Sequence, residues 1–186
     1  MKICVAGQGA FGQKHLDALK RIPGVEVTSL IGGNPAGTEE VARKYGVPHW
    51  GNDLAEGIKR ADAVILATPT QMHRAQGEQV MRAGKHVLIE IPIADSVADS
   101  EHLVKVAKET GVVAMGGHVR RFNPSHQFVH RKIKAGELKV QQMDVQTYFF
   151  RRTNMNAAGK PRSWTDHLLW HHACHTVDLF HYQTGE

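Results

Sequence analysis

Five of the 13 histidines of this chain lie within its last 20 residues. His167, His171 and His175 follow one another at intervals of four, and Asp178 comes three residues later. Because each residue turns an α-helix by about 100°, all four side chains would share one helix face. Histidine suits proton transfer near neutral pH, so this stripe predicts a general base for a hydroxyl proton.

Two other interpretations of the histidines stay open. Histidines at i, i+4 and i+8 can share a zinc ion, but the chain has no His-Glu-x-x-His arrangement, and Cys4 and Cys174 offer no paired ligands. We therefore predict no metal site. Purely structural hydrogen bonds are the preferred interpretation for His172 and His181.

A glycine-rich turn, Gly7-Gln8-Gly9-Ala10-Phe11-Gly12, stands between the first expected strand and the first expected helix. In such a turn the first glycine permits a tight bend, and the second lets the backbone approach a pyrophosphate. The third lets the helix pack closely on the strand. The turn thus predicts a dinucleotide-binding site. Its expected contacts are Gly7, Gly9, Ala10, Phe11 and Gly12.

The choice between NAD and NADP depends on the residues after the second expected strand, Leu30-Ile31-Gly32-Gly33-Asn34. An NAD enzyme would place a carboxylate there to bind the ribose 2′-hydroxyl. This segment has neither Asp nor Glu, and Arg43 or Lys44 could attract a 2′-phosphate. The sequence therefore favours NADP, with NAD as the alternative, and places Gly33 and Asn34 beside the ribose.

Charge is concentrated in one part of the chain, since the whole carries +5 but residues 118–162 carry ten basic and two acidic residues. A basic segment of this kind predicts a small anionic ligand, with a solvated basic face as the alternative. Nucleic acid is not expected, because aromatic residues make up only 6% and no reader motif occurs. The predicted anion contacts are Arg121, Arg151 and Arg152.

Strand-like and helix-like segments alternate over residues 1–117, which we predict to form one dinucleotide-binding domain. The expected strands lie at 2–6, 25–31, 63–68, 86–90 and 112–115, and most of them are apolar runs rather than alternating patterns. Helices are expected between them, one starting at Thr38, one after Asp53 and one after Asp95 or Ser96. Continuous apolar strands are typical of a parallel sheet that is covered on both faces. The fold class is therefore α/β, with a Rossmann-type doubly wound parallel sheet.

The pattern changes in residues 118–186, which we interpret as the beginning of an incomplete α+β domain. A helix is expected over Pro124–Ala135, then an extended strand over 138–150, then a helix from about Ser163 towards Gln183. We expect the full-length protein to be a homo-oligomer.

Composition excludes several classes of protein. The 186 residues are 41% hydrophobic and 22% charged without any biased tract, which is unlike disordered, collagenous or coiled-coil chains. No apolar run approaches the ~20 residues of a membrane-spanning helix. The two cysteines and the lack of a signal peptide favour a cytoplasmic protein.

Several motifs occur in a specific order: the glycine turn, Thr68-Pro69-Thr70-Gln71-Met72-His73, Ala83-Gly84-Lys85-His86-Val87, Glu90-Ile91-Pro92 and Arg121-Phe122-Asn123-Pro124. In this order the chain resembles the glucose–fructose oxidoreductase/inositol dehydrogenase family. The resemblance implies hydride transfer from a hydroxyl-bearing carbon to a nicotinamide. It also implies cofactor contacts from Thr68, Pro69, Thr70, Glu90 and Ile91.

The histidine His73 is expected at the carboxyl edge of the sheet, where ligands bind. It would either contact the nicotinamide end of the cofactor or make a hydrogen bond at the helix terminus.

The chain departs from the family pattern at two positions. The family usually has Glu-Lys-Pro after the fifth strand, but here Ile91 takes the place of the lysine. The family's Asp-x-x-x-His element falls on His171 and His175, so the resemblance makes His175 the catalytic histidine, with His171 beside it. Trp164 and His167 are further expected substrate contacts, although packing is an alternative role for Trp164.

Three functions fit this sequence. The first is an NADP-dependent dehydrogenase that acts on an acidic substrate. A sugar or polyol dehydrogenase of the same family is the second. The third is a nucleotide-binding protein without turnover, which the isoleucine at position 91 keeps open.

Overall fold

The computed structural model describes residues 1–148, 153, 155, 161, 170 and 172–185. These residues belong to two compact units, Met1–Gly117 and His118–Glu186.

The first unit alternates strands and helices throughout. Its elements are β1 (Lys2–Ala6), α1 (Ala10–Leu19), β2 (Glu26–Ile31), α2 (Pro35–Tyr45), β3 (His49–Gly51), α3 (Leu54–Lys59), β4 (Ala63–Leu66), α4 (Thr70–Arg82), β5 (His86–Ile89), α5 (Val97–Thr110) and β6 (Ala114–Gly116). The six strands form one sheet in the order β3-β2-β1-β4-β5-β6, and every neighbouring pair is parallel. The predicted α/β class with a doubly wound sheet is confirmed.

Helices cover both faces of the sheet because alternate strand residues point to opposite sides. On β1, Cys4 and Ala6 join a buried cluster with residues of α3, α4 and α5. Ile3 and Val5 point the other way, into a second cluster that contains Leu16 of α1 and other residues from α1 and α2. Two buried layers explain why the strands of this sheet read as continuous apolar runs.

Helix boundaries follow local capping chemistry. Asp53 caps α3 by accepting a hydrogen bond from the Ala55 amide at 2.9 Å, and Ser96 caps α5 by accepting from the Asp99 amide at 3.1 Å. Of the two predicted caps for α5, Ser96 is therefore the one that the structure uses.

Two elements of the first unit differ from the sequence prediction. Helix α2 begins at Pro35 rather than Thr38, because proline fits the first helical position. Thr38 lies inside the helix, where its hydroxyl donates to the Asn34 carbonyl at 2.7 Å. The third strand, His49–Gly51, was not placed by the sequence analysis because it has only three residues and no apolar run.

The described part of the second unit contains a 3₁₀ turn at Val119–Phe122 and two helices, α6 (Pro124–Lys134) and α7 (Ala173–Thr184). Asn123 caps α6 by accepting from the Ser125 amide at 2.9 Å. The expected strand over 138–150 is wrong for residues 138–148, to which no strand is assigned, and residues 149–150 lie outside the described part. A strand needs a neighbour for its backbone hydrogen bonds, and no described segment pairs with this one.

None of the helices in the described ranges is both long and apolar enough to cross a membrane.

Candidate functional site

A cleft of about 610 Å³ opens at the carboxyl edge of the sheet, beside the ends of β1, β2 and β4. This is the edge at which ligands bind in doubly wound folds. The lining comes from the glycine turn, the segment after β2, the end of β3 and the start of α4. The lining residues are Gly7, Gln8, Gly9, Ile31, Gly32, Gly33, Asn34, Asn52, Ala67, Thr68, Pro69, Met72 and Gln76.

The glycines of the turn have three different steric roles. Gly7 has a φ of +119°, and a Cβ there would lie 2.3 Å from the Ala67 carbonyl oxygen. A Cβ at Gly12 would lie 1.7 Å from the Gly7 carbonyl oxygen, so α1 can pack against the turn only with glycine at this position. Gly9 has nothing within 4 Å of the equivalent point, which leaves its backbone open to a ligand. This is the arrangement that a pyrophosphate requires.

The first helix begins directly at this open backbone. Gly9 is the N-cap of α1, no side chain caps the helix, and its first turn contains no acidic residue. The amides of a first helical turn favour an anion. Together, the glycine cradle and the uncapped helix start fit the pyrophosphate of a nicotinamide dinucleotide.

The two glycines after β2 differ in the space around them. A Cβ at Gly32 would lie 2.3 Å from both Gln8 Oε1 and Thr38 Oγ1, whereas Gly33 has open space around it. Gly33 and Asn34, which the sequence placed beside the ribose, both line the cleft, and so does Asn52, which was not recognised from the sequence. Only the position of the very short β3 could have pointed to Asn52.

No charged residue lines the described cleft. Arg43 pairs with Glu39 at 2.6 Å, and Lys44 donates to Gln13 Oε1 at 3.0 Å. The expectation that Arg43 or Lys44 attracts a 2′-phosphate therefore finds no support in the lining. Gly32, Gly33 and Asn34, which line the cleft where an NAD enzyme would have a carboxylate, are all neutral.

Some residues of the motif after β4 line the cleft, and others are buried in the interior. Thr68 and Pro69 line the cleft, with Met72 and Gln76 of α4 as lining residues that the sequence analysis missed. The Thr68 hydroxyl donates to Gln76 Oε1 at 2.6 Å, which holds this wall in place. Thr70, expected to contact the cofactor, is only 8% exposed and is not in the lining.

The ring of His73 is buried, with 1% of the residue exposed. Its Nδ1 lies 2.9 Å from the Pro92 carbonyl oxygen, and its Nε2 lies 2.9 Å from the Thr68 carbonyl oxygen. The hydrogen-bonding alternative is the one that the structure shows for His73, which is not among the residues that line the described cleft. Burial lowers the pKa of His73, although both carbonyls and the charges of Glu90 and Asp95 act in the opposite direction.

The Glu90 carboxylate stands just beyond β5 and pairs with a histidine of α1. His15 Nε2 lies 2.6 Å from Glu90 Oε1, and the Ile91 amide donates to Glu90 Oε2 at 3.4 Å. His15 was not recognised from the sequence, because its partner is 75 residues away. Its signal was its place on α1, three residues after Gly12.

Two other residues of the predicted cofactor site, Ala10 and Phe11, are exposed at the start of α1 and do not line the described cleft. The Lys14 ammonium lies 4.9 Å from the centre of the Phe11 ring, a cation–π contact.

In the second unit, the buried carboxylate of Asp178 lies close to two basic side chains. Arg121 binds Asp178 through Nε and Nη2, with the shortest contact at 2.6 Å, and His118 Nδ1 lies 3.5 Å from the same carboxylate. The hydrogen bond to Asp178 raises the pKa of Arg121, and burial lowers the pKa of His118. Any substrate carboxylate at Arg121 would have to share this guanidinium with Asp178.

Helix α7 carries His175, the predicted catalytic histidine, one turn before Asp178. His175 is partly buried. The other residues of the predicted substrate site lie outside the described part of the chain: Arg151, Arg152, Trp164, His167 and His171. Within the described residues no group of three or more His, Cys, Asp or Glu side chains could hold a metal ion.

Two family models match the chain in succession. Residues 1–118 match an oxidoreductase family described by its NAD-binding Rossmann fold, and residues 124–186 match the C-terminal region of bacterial oxidoreductases.

Comparison with individual proteins also finds similarity to dehydrogenases. The chain is 64% identical over 188 aligned residues to 4-carboxy-2-hydroxymuconate-6-semialdehyde dehydrogenase of Sphingobium sp., covering all of this chain and 60% of that protein. It is 33% identical to the NAD(+)-dependent scyllo-inositol 2-dehydrogenase of Bacillus subtilis, over 74% of this chain and 41% of the relative. The chain thus spans about 60% or less of these relatives.

A solved structure extends the likeness in fold to the whole chain. A probable dehydrogenase from Thermotoga maritima superimposes with a TM-score of 0.81 over 100% of this chain and 56% of the other, at 22% identity.

Proposed function

The chain belongs to the glucose–fructose oxidoreductase/inositol dehydrogenase family, and from that premise we propose that it is part of an NADP-dependent dehydrogenase. The proposed reaction oxidises the cyclic hemiacetal of 4-carboxy-2-hydroxymuconate-6-semialdehyde. Its product is the lactone 2-pyrone-4,6-dicarboxylate, in the protocatechuate 4,5-cleavage pathway. The observation that carries this proposal is the 64% identity, over the whole chain, to a dehydrogenase named for that substrate.

The first unit supports binding of the dinucleotide. Gly7 and Gly12 allow the tight turn, Gly9 leaves room for the pyrophosphate, and Gly33 leaves room beside the ribose. The cleft residues after β2 include no carboxylate that would repel a 2′-phosphate, which supports NADP over NAD.

The chemistry that a bound nicotinamide supplies is acceptance of a hydride at C4. The protein has to remove the hydroxyl proton, so that the oxygen left on the hemiacetal carbon can form the lactone carbonyl. His175 takes this proton, and His171 orients the substrate or the base. His175 is assigned this task because Ile91 has no ionisable side chain in the place of the family's lysine.

A doubly acidic substrate also requires positive charge. Residues 118–162 carry a net +8, and within them Arg121, Arg151 and Arg152 are the proposed carboxylate contacts. Trp164 and His167 complete the proposed substrate site. A polyol, being neutral, would gain nothing from this charge.

A substrate comparison tests the proposal. Formation of NADPH or NADH by the full-length protein is measured by absorbance with the muconate semialdehyde, inositol and glucose as alternative substrates, each with NADP and with NAD. We expect turnover of the semialdehyde alone, and faster with NADP. Turnover of inositol or glucose would instead establish the polyol alternative, and dinucleotide binding without any turnover would establish the non-catalytic one.

A further inference from the structure

The accessible apolar side chains of the cleft lie on its β4 side. Pro69 follows β4, and Met72 lies in the first turn of α4 with 45% of the residue exposed. Ile31 of β2 also lines the cleft, but only 4% of it is exposed. The segments after β2 and β3 contribute glycines and the amides of Asn34 and Asn52. The cleft therefore has an apolar wall on the β4 side and a polar wall on the other.

The two walls decide where the base of a dinucleotide would lie. In a doubly wound fold the pyrophosphate lies at the glycine turn after β1 and the adenosine ribose at the end of β2, here Gly33 and Asn34. The adenine is joined to this ribose, so it has to occupy the remaining part of the same cleft. Flat aromatic faces gain free energy when they leave water for apolar surface. The wall formed by Pro69 and Met72 is therefore the one that fits the adenine.

An amide side chain continues this apolar wall. Gln76 lies four residues after Met72 in α4, so the two side chains project from the same face of the helix. Both residues line the cleft, and Gln76 is partly buried. A base that packs against Met72 would therefore present an edge to the Gln76 amide.

The orientation of this amide is fixed by Thr68. The Thr68 hydroxyl donates to Gln76 Oε1 at 2.6 Å, a bond that requires the oxygen of the amide to face the hydroxyl. Thr68 is itself anchored, because its carbonyl oxygen lies 2.9 Å from Nε2 of the buried His73 ring. An amide oxygen can accept two hydrogen bonds, and the amide nitrogen can donate two. Gln76 thus keeps one lone pair on Oε1 for a ligand, and no described residue accepts from its Nε2.

We propose that Gln76, oriented by Thr68, selects adenine as the base, an inference that rests on the dinucleotide binding proposed above. Glutamine pairs with adenine through two hydrogen bonds: its oxygen accepts from the 6-amino group, and its nitrogen donates to the neighbouring ring nitrogen. Hypoxanthine has an oxygen in place of that amino group. Its oxygen would face Oε1, and the bond from Thr68 opposes the amide flip that would relieve the repulsion. The cleft therefore discriminates against hypoxanthine.

Two dinucleotides that differ in the 6-substituent of the base test this inference. NADP and its hypoxanthine analogue are titrated calorimetrically into the full-length protein, or NAD and its hypoxanthine analogue if NAD binds more tightly. We expect the analogue to bind about five- to fiftyfold more weakly, because one hydrogen bond is lost and two acceptors face each other. The measurement needs no turnover, so it does not depend on the proposed substrate or on His175.

Substitutions in α4 assign the preference to one side chain. In Gln76→Leu the two Kd values should agree within about twofold, because the amide that distinguishes the bases is gone. Gln79→Leu is the matched control, since Gln79 is exposed on the same helix and does not line the described cleft. It should keep the preference of the unsubstituted protein. An equal loss in both variants would overturn the assignment to Gln76.

Substitutions of Thr68 test the orientation of the amide without removing it. Thr68→Val has nearly the same shape but no hydroxyl, so the amide can turn and the preference for adenine should fall. Thr68→Ser keeps the hydroxyl and should keep the preference. Equal preferences in the two variants would show that Thr68 does not orient Gln76.

The outcomes separate this inference from the proposed function. Equal affinities of the unsubstituted protein for the adenine and hypoxanthine dinucleotides would overturn the inference and leave the proposed function standing. A preference for adenine that survives in Gln76→Leu would also overturn it, because another residue, such as Asn52, would then recognise the base. If the protein binds neither dinucleotide, the proposed function fails and the inference fails with it.

Discussion

Arg121 grips the carboxylate of Asp178 from a position 57 residues earlier in the chain, with Nε at 2.9 Å and Nη2 at 2.6 Å. The Asp178 side chain is 8% exposed and that of Arg121 is 37% exposed. This bidentate pair connects the 3₁₀ turn before α6 to α7. It thereby anchors α7, the helix on which His175 lies one turn before Asp178.

Removing the charge of Asp178 should destabilise the second unit. Asp178→Asn leaves the Arg121 guanidinium without its carboxylate, at an expected cost of about 1–3 kcal/mol in the free energy of unfolding. Solvent around Arg121 keeps the loss below that of a fully buried pair. The measurement is urea unfolding followed by circular dichroism. Glu137→Gln, which breaks the exposed Lys132–Glu137 pair, should change stability by less than about 0.5 kcal/mol, and an equal effect of both variants would contradict the prediction.

Substitutions at two glycines of the turn should affect stability and dinucleotide affinity differently. Gly12→Ala places a Cβ 1.7 Å from the Gly7 carbonyl oxygen, so it should lower the free energy of unfolding by at least about 2 kcal/mol. Gly9→Ala meets nothing within 4 Å and should unfold nearly as the unsubstituted protein does. Its methyl group would occupy space for the pyrophosphate, so dinucleotide affinity should fall about tenfold or more. Thermal unfolding and dinucleotide titration check both variants, and a stable Gly12→Ala would contradict the packing argument.

The cofactor preference should depend on charge beside the ribose. Gly33→Asp adds a carboxylate at an open position of the cleft, where it would repel a 2′-phosphate and accept from a 2′-hydroxyl. We expect the affinity for NADP to fall about tenfold or more and that for NAD to rise. Gly33→Asn adds nearly the same volume without charge and serves as the control. A native preference for NAD, or the same shift in both variants, would show that the neutral segment after β2 does not determine the choice.

The sequence carried most of the information about the sheet and the turn, for identifiable reasons. The strands β1, β4 and β5 consist mostly of apolar residues because they are buried on both faces. The spacing of Gly7, Gly9 and Gly12 could be interpreted because each glycine has a local steric role. The short β3 lacks an apolar run, so neither it nor Asn52 could be recognised. Position alone placed His73 correctly at the sheet edge but could not show that its ring turns inwards.

Contacts between residues that are distant in the chain could not be predicted from the sequence either. His15 and Glu90 meet across 75 residues, and Arg121 and Asp178 across 57. The composition of the basic segment suggested that Arg121 serves a substrate. A single sequence cannot show that an internal carboxylate already binds the same guanidinium.

Stability should fall as the solution becomes acidic, with His73 as one cause. Burial lowers the pKa of His73 in the folded state below its unfolded value of about 6.5. The unfolded chain therefore binds the proton more readily, and the stabilisation present above about pH 6.5 is lost as the pH falls through the lower folded pKa. Urea unfolding between about pH 5 and pH 8 measures this slope. His73→Asn should flatten it, while His49 and His118, whose pKa values burial also lowers, keep part of it; a variant with the full slope would exclude His73.

Replacement of His175 tests the proposed proton transfer most directly. If His175 takes the hydroxyl proton, His175→Asn should lower kcat by about 10²- to 10⁴-fold, the usual effect of losing a positioned base. KM should change little, because the lost interaction belongs to the transition state. His181→Asn, an exposed position on the same helix α7, is the control and should keep its activity. A chelator should have no effect on a proton-transfer site, whereas a zinc site would lose activity and regain it with added metal. Near-normal kcat in His175→Asn would remove this histidine from the mechanism and transfer the proton-accepting role to another group.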